Sequence, residues 1–204
     1  MITDTESFYI FGSEGYLTTY SVRPDLFNHA ILNKLSGPES GRDIHLQLLF
    51  GDDNGAYPNY IVFPVVFRHK DGKKMRDMLD MRFDGNCFLI SNRMKVLMEA
   101  NRITGWKSYP VLVYDKKGNK IDGYYGFTVT GRGGEMRFLM PPNQIPYGES
   151  SHYCQWEQDQ WDGSDIFRVR PNYLIVTKRT MLLFKENKIT SPHFYPLSES
   201  ATIL

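Results

Sequence analysis

Residues 89–104 read LISNRMKVLMEANRIT and residues 175–190 read IVTKRTMLLFKENKIT, and the two stretches align without a gap after a shift of 86 positions. Both continue to a Tyr-Pro pair. The residues that are identical in both copies are, numbered in the first copy, Arg93, Leu97, Asn101, Ile103, Thr104, Tyr109 and Pro110. This agreement in a single register indicates an internal repeat.

Each copy of the repeat predicts a strand, a capped helix and a return strand. Ser91 and Thr177 end the apolar runs, and their hydroxyls can accept a backbone N–H at the start of a helix. Apolar residues then recur at helical spacing. Asn101 and Asn187 stand where a left-handed residue could end each helix. We therefore expect the repeated residues, including the two caps, to hold the fold rather than to form an active site.

Strands are predicted in the rest of the chain, with one further helix. The β-rich runs 8–11 and 16–22 flank a glycine-containing loop, which predicts a hairpin. Runs 109–115 and 124–130 flank the turn-rich residues 116–120, which predicts a second hairpin. A helix is expected to begin at Asp25.

The predicted fold class is α+β. It consists of a mixed, mainly antiparallel sheet with a few helices and two similar strand-helix-strand units at 88–115 and 174–200. We expect a single domain over 1–204, because no stretch typical of a linker separates the copies apart from the proline-rich residues 141–146. Within it, 1–84 form a β-rich part with one helix, and 85–204 form the part that contains the repeat.

Composition and charge exclude several functional classes. The chain has 204 residues, and its 24 Lys+Arg and 23 Asp+Glu give a net charge of +1, so no global field attracts nucleic acid or an acidic membrane. Residues 1–22 lack the basic start and apolar core of a secretory signal. Cys87 and Cys154 are too few for a disulfide framework. We expect a cytoplasmic protein with reduced thiols and no direct contact with membrane or nucleic acid.

No catalytic or metal-binding motif stands out. The five histidines are scattered without metal-ligand spacing, so we expect no metal and no cofactor. The glycine-rich residues 131–134 lack the Lys-Ser or Lys-Thr ending of a phosphate-binding loop, and a loop or bulge is the better interpretation. An enzyme or small-ligand-binding protein remains an alternative, with a site assembled from distant loops, for example from Asp52, Asp53, His152 and Cys154.

One segment has the composition of a protein-binding surface. Residues 149–165 contain five carboxylates and no Lys or Arg, together with two of the three tryptophans. Aromatic anchors surrounded by negative charge are typical of binding hot spots that attract a basic partner. The alternative is an acidic loop whose tryptophans fold inward. The candidate contact residues are Tyr153, Trp156, Glu157, Asp159, Trp161 and Asp162.

Several short motifs resemble a family of bacterial immunity proteins from polymorphic toxin systems. The strand and helix start at 88–91, the turn at 103–106 and the strand at 109–111 are similar to that family's strand, S-x-R helix, L-T-G turn and P-V strand. Residues 161–168, which precede the strand 173–177, resemble its D-x-F lead into a closing strand and helix. The resemblance covers 85–204, and Ser191 stands where the family would show glycine.

The resemblance implies a non-catalytic intracellular protein that binds and neutralises a cognate toxin protein. The segment around Trp156 and Trp161 would then be the contact with the toxin. A structural or regulatory module that binds some other protein is a third hypothesis, and the sequence leaves the oligomeric state open.

Overall fold

The computed structural model describes residues 8–13, 18–25, 48–51, 56–57, 61–80, 88–138, 154–156, 158–170 and 173–197. The chain divides into two compact units. Unit 1 comprises residues 1–12, 103–106 and 130–204, and unit 2 comprises residues 13–102 and 107–129. The predictions for Cys87, for the helix that follows Asp25 and for Asp52 and Asp53 concern residues outside the described ranges. The expectation of a single domain stays a prediction.

Fourteen strands lie within the described residues. In chain order they are β1 (Phe8–Ser13), β2 (Ser21–Pro24), β3 (Val65–Asp71), β4 (Met78–Asp80), β5 (Phe88–Ser91), β6 (Trp106–Tyr109), β7 (Val111–Tyr114), β8 (Lys120–Ile121), β9 (Tyr124–Val129), β10 (Gly131–Phe138), β11 (Cys154–Trp156), β12 (Ile166–Arg170), β13 (Tyr173–Thr177) and β14 (Pro192–Pro196). Two helices have both ends within the described residues, α1 (Asn92–Ala100) and α2 (Lys178–Glu186), and a 3-10 turn lies at Gln158–Gln160. Residues 48–50 are also helical.

The strands form three sheets. A six-stranded sheet has the order β11-β10-β12-β13-β1-β14, and two four-stranded sheets have the orders β2-β3-β7-β8 and β4-β5-β9-β6. The pairs β10/β12 and β3/β7 are parallel. The pairs β1/β13, β12/β13, β5/β9, β4/β5, β2/β3, β7/β8 and β10/β11 are antiparallel. The predicted α+β class with mainly antiparallel sheets is confirmed.

Both helix starts are as predicted. The Ser91 hydroxyl accepts a hydrogen bond from the Met94 N–H at 3.1 Å, and the Thr177 hydroxyl accepts one from the Thr180 N–H at 3.4 Å. These bonds satisfy N–H groups that have no partner within the helix.

The helix ends differ from the prediction by one residue. Asn101 has φ −94° and Asn187 has φ −87°, so neither is left-handed. The following residues, Arg102 and Lys188, are left-handed, with φ of 52° and 50°. The asparagines cap instead through their side chains, whose amides donate to the carbonyls four residues earlier, at 2.8 Å in α1 and 2.9 Å in α2. The two copies thus end their helices in the same way.

The structural repeat is longer than the sequence repeat. In unit 2, α1 follows β5 of a sheet with the order β4-β5-β9-β6, and in unit 1, α2 follows β13 of a sheet that includes the order β12-β13-β1-β14. Gly126 of β9 pairs with Leu89, and Ile10 of β1 pairs with Ile175, the residue equivalent to Leu89. β9 and β1 are therefore equivalent strands, although β9 follows its helix in the chain and β1 precedes all the rest.

Both predicted hairpins are wrong in their pairing. β1 pairs with β13 and β2 pairs with β3, so runs 8–11 and 16–22 do not pair with each other. Likewise β7 makes its hairpin with the short strand β8, whereas β9 lies between β5 and β6, and only Tyr109 of β6 belongs to the predicted run 109–115. The turn at 116–118 is present as predicted, whereas residues 14–17 lie outside the described ranges. The second run of each pair is placed beside a strand that is distant in sequence.

Candidate protein-binding surface

The two tryptophans of the acidic segment pack inward on unit 1. Trp156 and Trp161 meet the ring of Phe8 edge-on, with centroids 4.9 and 5.1 Å away. Both also contact Phe167. Each indole N–H donates to a backbone carbonyl, Trp156 to Gly133 at 2.5 Å and Trp161 to Ser164 at 2.9 Å. Both side chains are half-buried, so they form a fixed layer over the sheet rather than free anchors.

The glycine-rich residues 131–134 allow β12 and the 3-10 turn to approach β10 closely. A Cβ added at Gly131, Gly133 or Gly134 would lie 2.3 Å from the Ile166 carbonyl, 2.5 Å from the Phe167 ring and 2.1 Å from the Gln160 side chain, respectively. The pairing of β10 with β12 shifts its register between Arg132 and Glu135. Where the sequence favoured a loop or bulge, the structure has a strand with an irregular register, and the glycines permit close packing there.

The two described carboxylates among the candidates have different roles. Asp162 accepts hydrogen bonds from the Arg132 N–H at 2.7 Å and from the Ser164 N–H at 2.9 Å, so it holds the loop as well as being exposed. Asp159 lies exposed on the 3-10 turn. Tyr153 and Glu157 lie outside the described residues. The assignment of these six residues to a partner contact stays a prediction.

Asp165, at the end of the same acidic segment, is buried and holds the repeat together. Its carboxylate accepts from the Thr104 N–H at 3.0 Å, from the Thr177 hydroxyl at 3.3 Å and from Arg179 at 3.0 and 3.1 Å. A carboxylate satisfied by so many donors is structural. It is not available to a partner.

β14, at the edge of the six-stranded sheet, carries aromatic residues on both faces. Phe194 packs on one face against Phe11 and Phe184, on the side of α2. Because side chains alternate along a strand, His193 and Tyr195 lie on the opposite face. Their rings are 4.2 Å apart, and Tyr195 is 58% exposed. The sequence identifies Tyr195 only as the repeat position that matches Tyr109.

Several titratable groups of unit 2 have shifted pKa values. Burial raises the pKa of Tyr124 to about 12, and the charges of Asp77 and Tyr20 add to the effect. Burial and, to a smaller extent, the negative charge of Asp115 raise the pKa of Tyr20.

Two charged groups at the turn after β7 are also shifted. The hydrogen bond from the Asn119 side chain has the largest effect on Asp115 and lowers its pKa, and backbone hydrogen bonds from Asn119 and Lys117 lower it further. Asp122 raises the pKa of Lys120 through a hydrogen bond and its charge. These shifts belong to a turn and a core edge, not to a catalytic cluster.

The described residues include no group of three or more His, Cys, Asp or Glu side chains arranged to hold a metal ion. Within the same ranges, no helix is long and apolar enough to cross a membrane. The alternative enzyme site cannot be built from the described side chains: Asp52, Asp53 and His152 lie outside them, and Cys154 is described only by its backbone, in β11. That alternative stays a prediction.

A family model described as an immunity protein family (Imm11) matches residues 28–132. The chain belongs to this immunity protein family. No curated protein matches the chain.

The match to the immunity family places the first copy of the repeat inside the family region. Residues 28–132 contain β4, β5, α1 and β9, and they extend back into the part of the chain where the sequence showed no recognised motif. The second copy, with α2 and the tryptophan layer, follows the matched region. The resemblance carried by 88–91, 103–106 and 109–111 therefore falls within the family match.

Proposed function

We propose that this immunity protein binds a cognate toxin protein and neutralises it without catalysing a reaction, in the cytoplasm of the cell that produces both. The observation that carries the proposal is membership of the immunity family over half of the chain. A protein that blocks a toxin by occupying it needs a shaped and rigid surface but no catalytic groups.

The exposed carboxylates around the tryptophan layer support a contact in this region. Asp159 and Asp162 are exposed beside side chains that hydrogen bonds and ring contacts hold in place. A fixed surface loses little conformational entropy on binding, and its negative charge attracts a basic partner. We propose that Tyr153 and Glu157 complete the same surface and that the partner is basic, as a toxin acting on nucleic acid would be.

The test is binding of the full chain to a candidate toxin domain taken from a gene next to its own, prepared with an inactivating substitution. Reversing charge with Asp159→Lys should lower the association rate several-fold at low salt and less at high salt, because a surface charge acts mainly by steering. Asp122→Lys, an exposed reversal in unit 2, is the matched control and should leave the rate unchanged. Stopped-flow fluorescence measures both.

Two outcomes of this experiment would count against the proposal in different ways. If the wild-type chain does not bind the toxin domain at micromolar concentration, the proposed function is wrong. If it binds and Asp159→Lys behaves like Asp122→Lys at low salt, the toxin is bound elsewhere and only the acidic surface is rejected.

A further inference from the structure

The repeat in unit 2 shows how the outer face of its return strand is filled. Lys107 and Tyr109 of β6 hold the ring of Tyr57: the Lys107 Nζ lies 4.0 Å from its centroid, and the Tyr109 ring meets it edge-on at 5.7 Å. The Tyr57 hydroxyl lies 2.6 Å from the Thr128 hydroxyl. Phe63 also contacts the Tyr109 ring, at 5.4 Å. Two aromatic residues from a segment of the chain thus cover β6, and Tyr109 is only 3% exposed.

The equivalent positions in unit 1 are His193 and Tyr195 on β14, and there the tyrosine is exposed. A shift of 86 carries Lys107 to His193 and Tyr109 to Tyr195. Tyr195 is 58% exposed, against 3% for Tyr109. Among the described residues, the only ring contact recorded for Tyr195 is with His193.

A single substitution between the copies explains the exposed ring. The Tyr109 ring lies against Gly126, where an added Cβ would be 2.0 Å from the ring. Ile10 occupies the equivalent position in β1, since Gly126 pairs with Leu89 and Ile10 with Ile175. An isoleucine side chain excludes the ring position that glycine permits, so Tyr195 cannot fold down as Tyr109 does.

We infer that the His193 and Tyr195 face of β14 is a docking site for an aromatic side chain of the toxin, which would lie against these two residues as the Tyr57 ring lies against Lys107 and Tyr109 in unit 2. This inference rests on the proposed function and names a surface for it. Exposed tyrosine at an interface buries a large ring at low entropic cost. The rings of His193 and Tyr195, with Ile10 beside them, offer the aromatic and apolar contacts that an incoming ring prefers.

The ends of β14 favour side-chain docking over the addition of a strand. Pro192 and Pro196 bound the strand, and neither has an N–H to donate to a neighbouring strand. A partner strand would therefore form an interrupted ladder along this edge. The affinity must then come mainly from the rings on the outer face.

The experiment measures binding of the inactive toxin domain to full-length variants by isothermal titration calorimetry. Tyr195→Ser should weaken binding at least tenfold, and Tyr195→Phe, which keeps the ring, should bind within about threefold of the wild type. Leu182→Ser is the matched control, because Leu182 is 42% exposed on α2 of the same unit. It should leave binding unchanged. Thermal unfolding midpoints should agree among all four proteins, since both positions are exposed.

A photocrosslinker at position 195 identifies the occupant. With p-benzoylphenylalanine in place of Tyr195, we expect a covalent product with the toxin domain at or beside an aromatic residue, located by mass spectrometry. A product with a second copy of the chain instead would overturn the inference and identify a self-association surface.

The binding experiment distinguishes an incorrect docking site from an incorrect proposed function. If the wild type binds the toxin domain and Tyr195→Ser binds equally well, the docking site is wrong and the immunity function stands. If the wild type itself does not bind, the proposed function is wrong and the toxin-docking site is rejected with it.

Discussion

Two buried aspartates, Asp77 and Asp165, perform the same task in the two units. Asp77 accepts from the Ser91 hydroxyl at 2.7 Å and from Arg93 at 3.1 Å. Asp165 accepts from the equivalent pair, Thr177 and Arg179. Each aspartate also receives the backbone N–H of the cap residue on its carbonyl, at 2.7 and 2.9 Å. One side chain therefore fixes the start of the helix to the neighbouring strand in each copy.

We expect Asp165→Asn to lower the free energy of unfolding by about 2–3 kcal/mol. The amide keeps one oxygen acceptor but presents an NH₂ to donors such as the Thr104 N–H and Arg179, so at least one buried group loses its partner. Urea unfolding measures the change. Asp122→Asn, at an exposed surface pair with Lys120, is the control and should change stability by less than about 0.5 kcal/mol. Equal effects of the two substitutions would contradict the role of Asp165.

Tyr124 makes the stability of the fold depend on pH in the alkaline range. Its hydroxyl donates to the Arg76 carbonyl at 2.8 Å, and burial raises its pKa to about 12, from an ordinary value of 10.0. The folded state thus favours the protonated phenol. The stabilisation is complete below about pH 10 and is lost as pH rises through 12.

We therefore expect Tyr124→Phe to reduce the loss of stability between pH 9 and pH 11.5. The comparison is the difference in urea unfolding free energy between the two pH values, measured for the wild type and for the variant, because the tyrosines that do not interact with Tyr124 contribute equally to both. The wild type should lose more. Identical losses would show that the Tyr124 hydroxyl does not ionise with a raised pKa.

At the scale of elements, the return strands β6 and β14 differ because of the strands beside them. Gly126 of β9 leaves room for the Tyr109 ring, and Ile10 of β1 does not leave room for the ring of Tyr195. The equivalent strand pairs β9/β6 and β1/β14 therefore bury the tyrosine of the return strand in unit 2 and leave it exposed in unit 1.

This contrast predicts that Gly126→Ala destabilises the protein by about 1–3 kcal/mol. The new Cβ would lie 2.0 Å from the Tyr109 ring, which must move out of the contacts that it makes with Tyr57 and Phe63. Gly12→Ala is the control, because Gly12 also lies in a strand but has nothing within 4 Å of an added Cβ. Guanidinium unfolding compares them, and a neutral Gly126→Ala would mean that the ring is not held there.

Local signals predicted the elements, and non-local packing decided their partners. The helix starts at Ser91 and Thr177 could be read from the sequence because a cap depends on neighbouring residues. The pairing of β1 could not, since FYIF at 8–11 resembles YYGF at 124–127 too briefly to show that the two strands are equivalent. Composition likewise identified Trp156 and Trp161 but could not show that they face inward, which depends on contact with Phe8 from the other end of the chain.

At the scale of the whole chain, the two copies use the same elements in a different chain order. In unit 2 the strand beside β5 is β9, which follows the helix in the chain. In unit 1 the equivalent strand beside β13 is β1, which precedes the helix by more than 160 residues in the chain. The Leu197 N–H donates to the Phe8 carbonyl at 3.0 Å, so the segment after β14 is also tied to β1. Unit 1 therefore forms only when segments from both ends of the sequence meet.

Removal of residues 1–12 should consequently unfold unit 1 selectively. β1 lies between β13 and β14 and contributes Phe8 and Phe11 to the two faces of the sheet, so its loss separates two strands and opens both apolar layers. Hydrogen exchange with mass spectrometry should show lost protection in 173–177 and 192–196. Residues 88–91 and 124–129, which pair with each other in unit 2, are the internal control and should remain protected. Retained protection of 192–196 would contradict the assembly of this sheet, because β14 has β1 as its only neighbour in the strand order of the described residues.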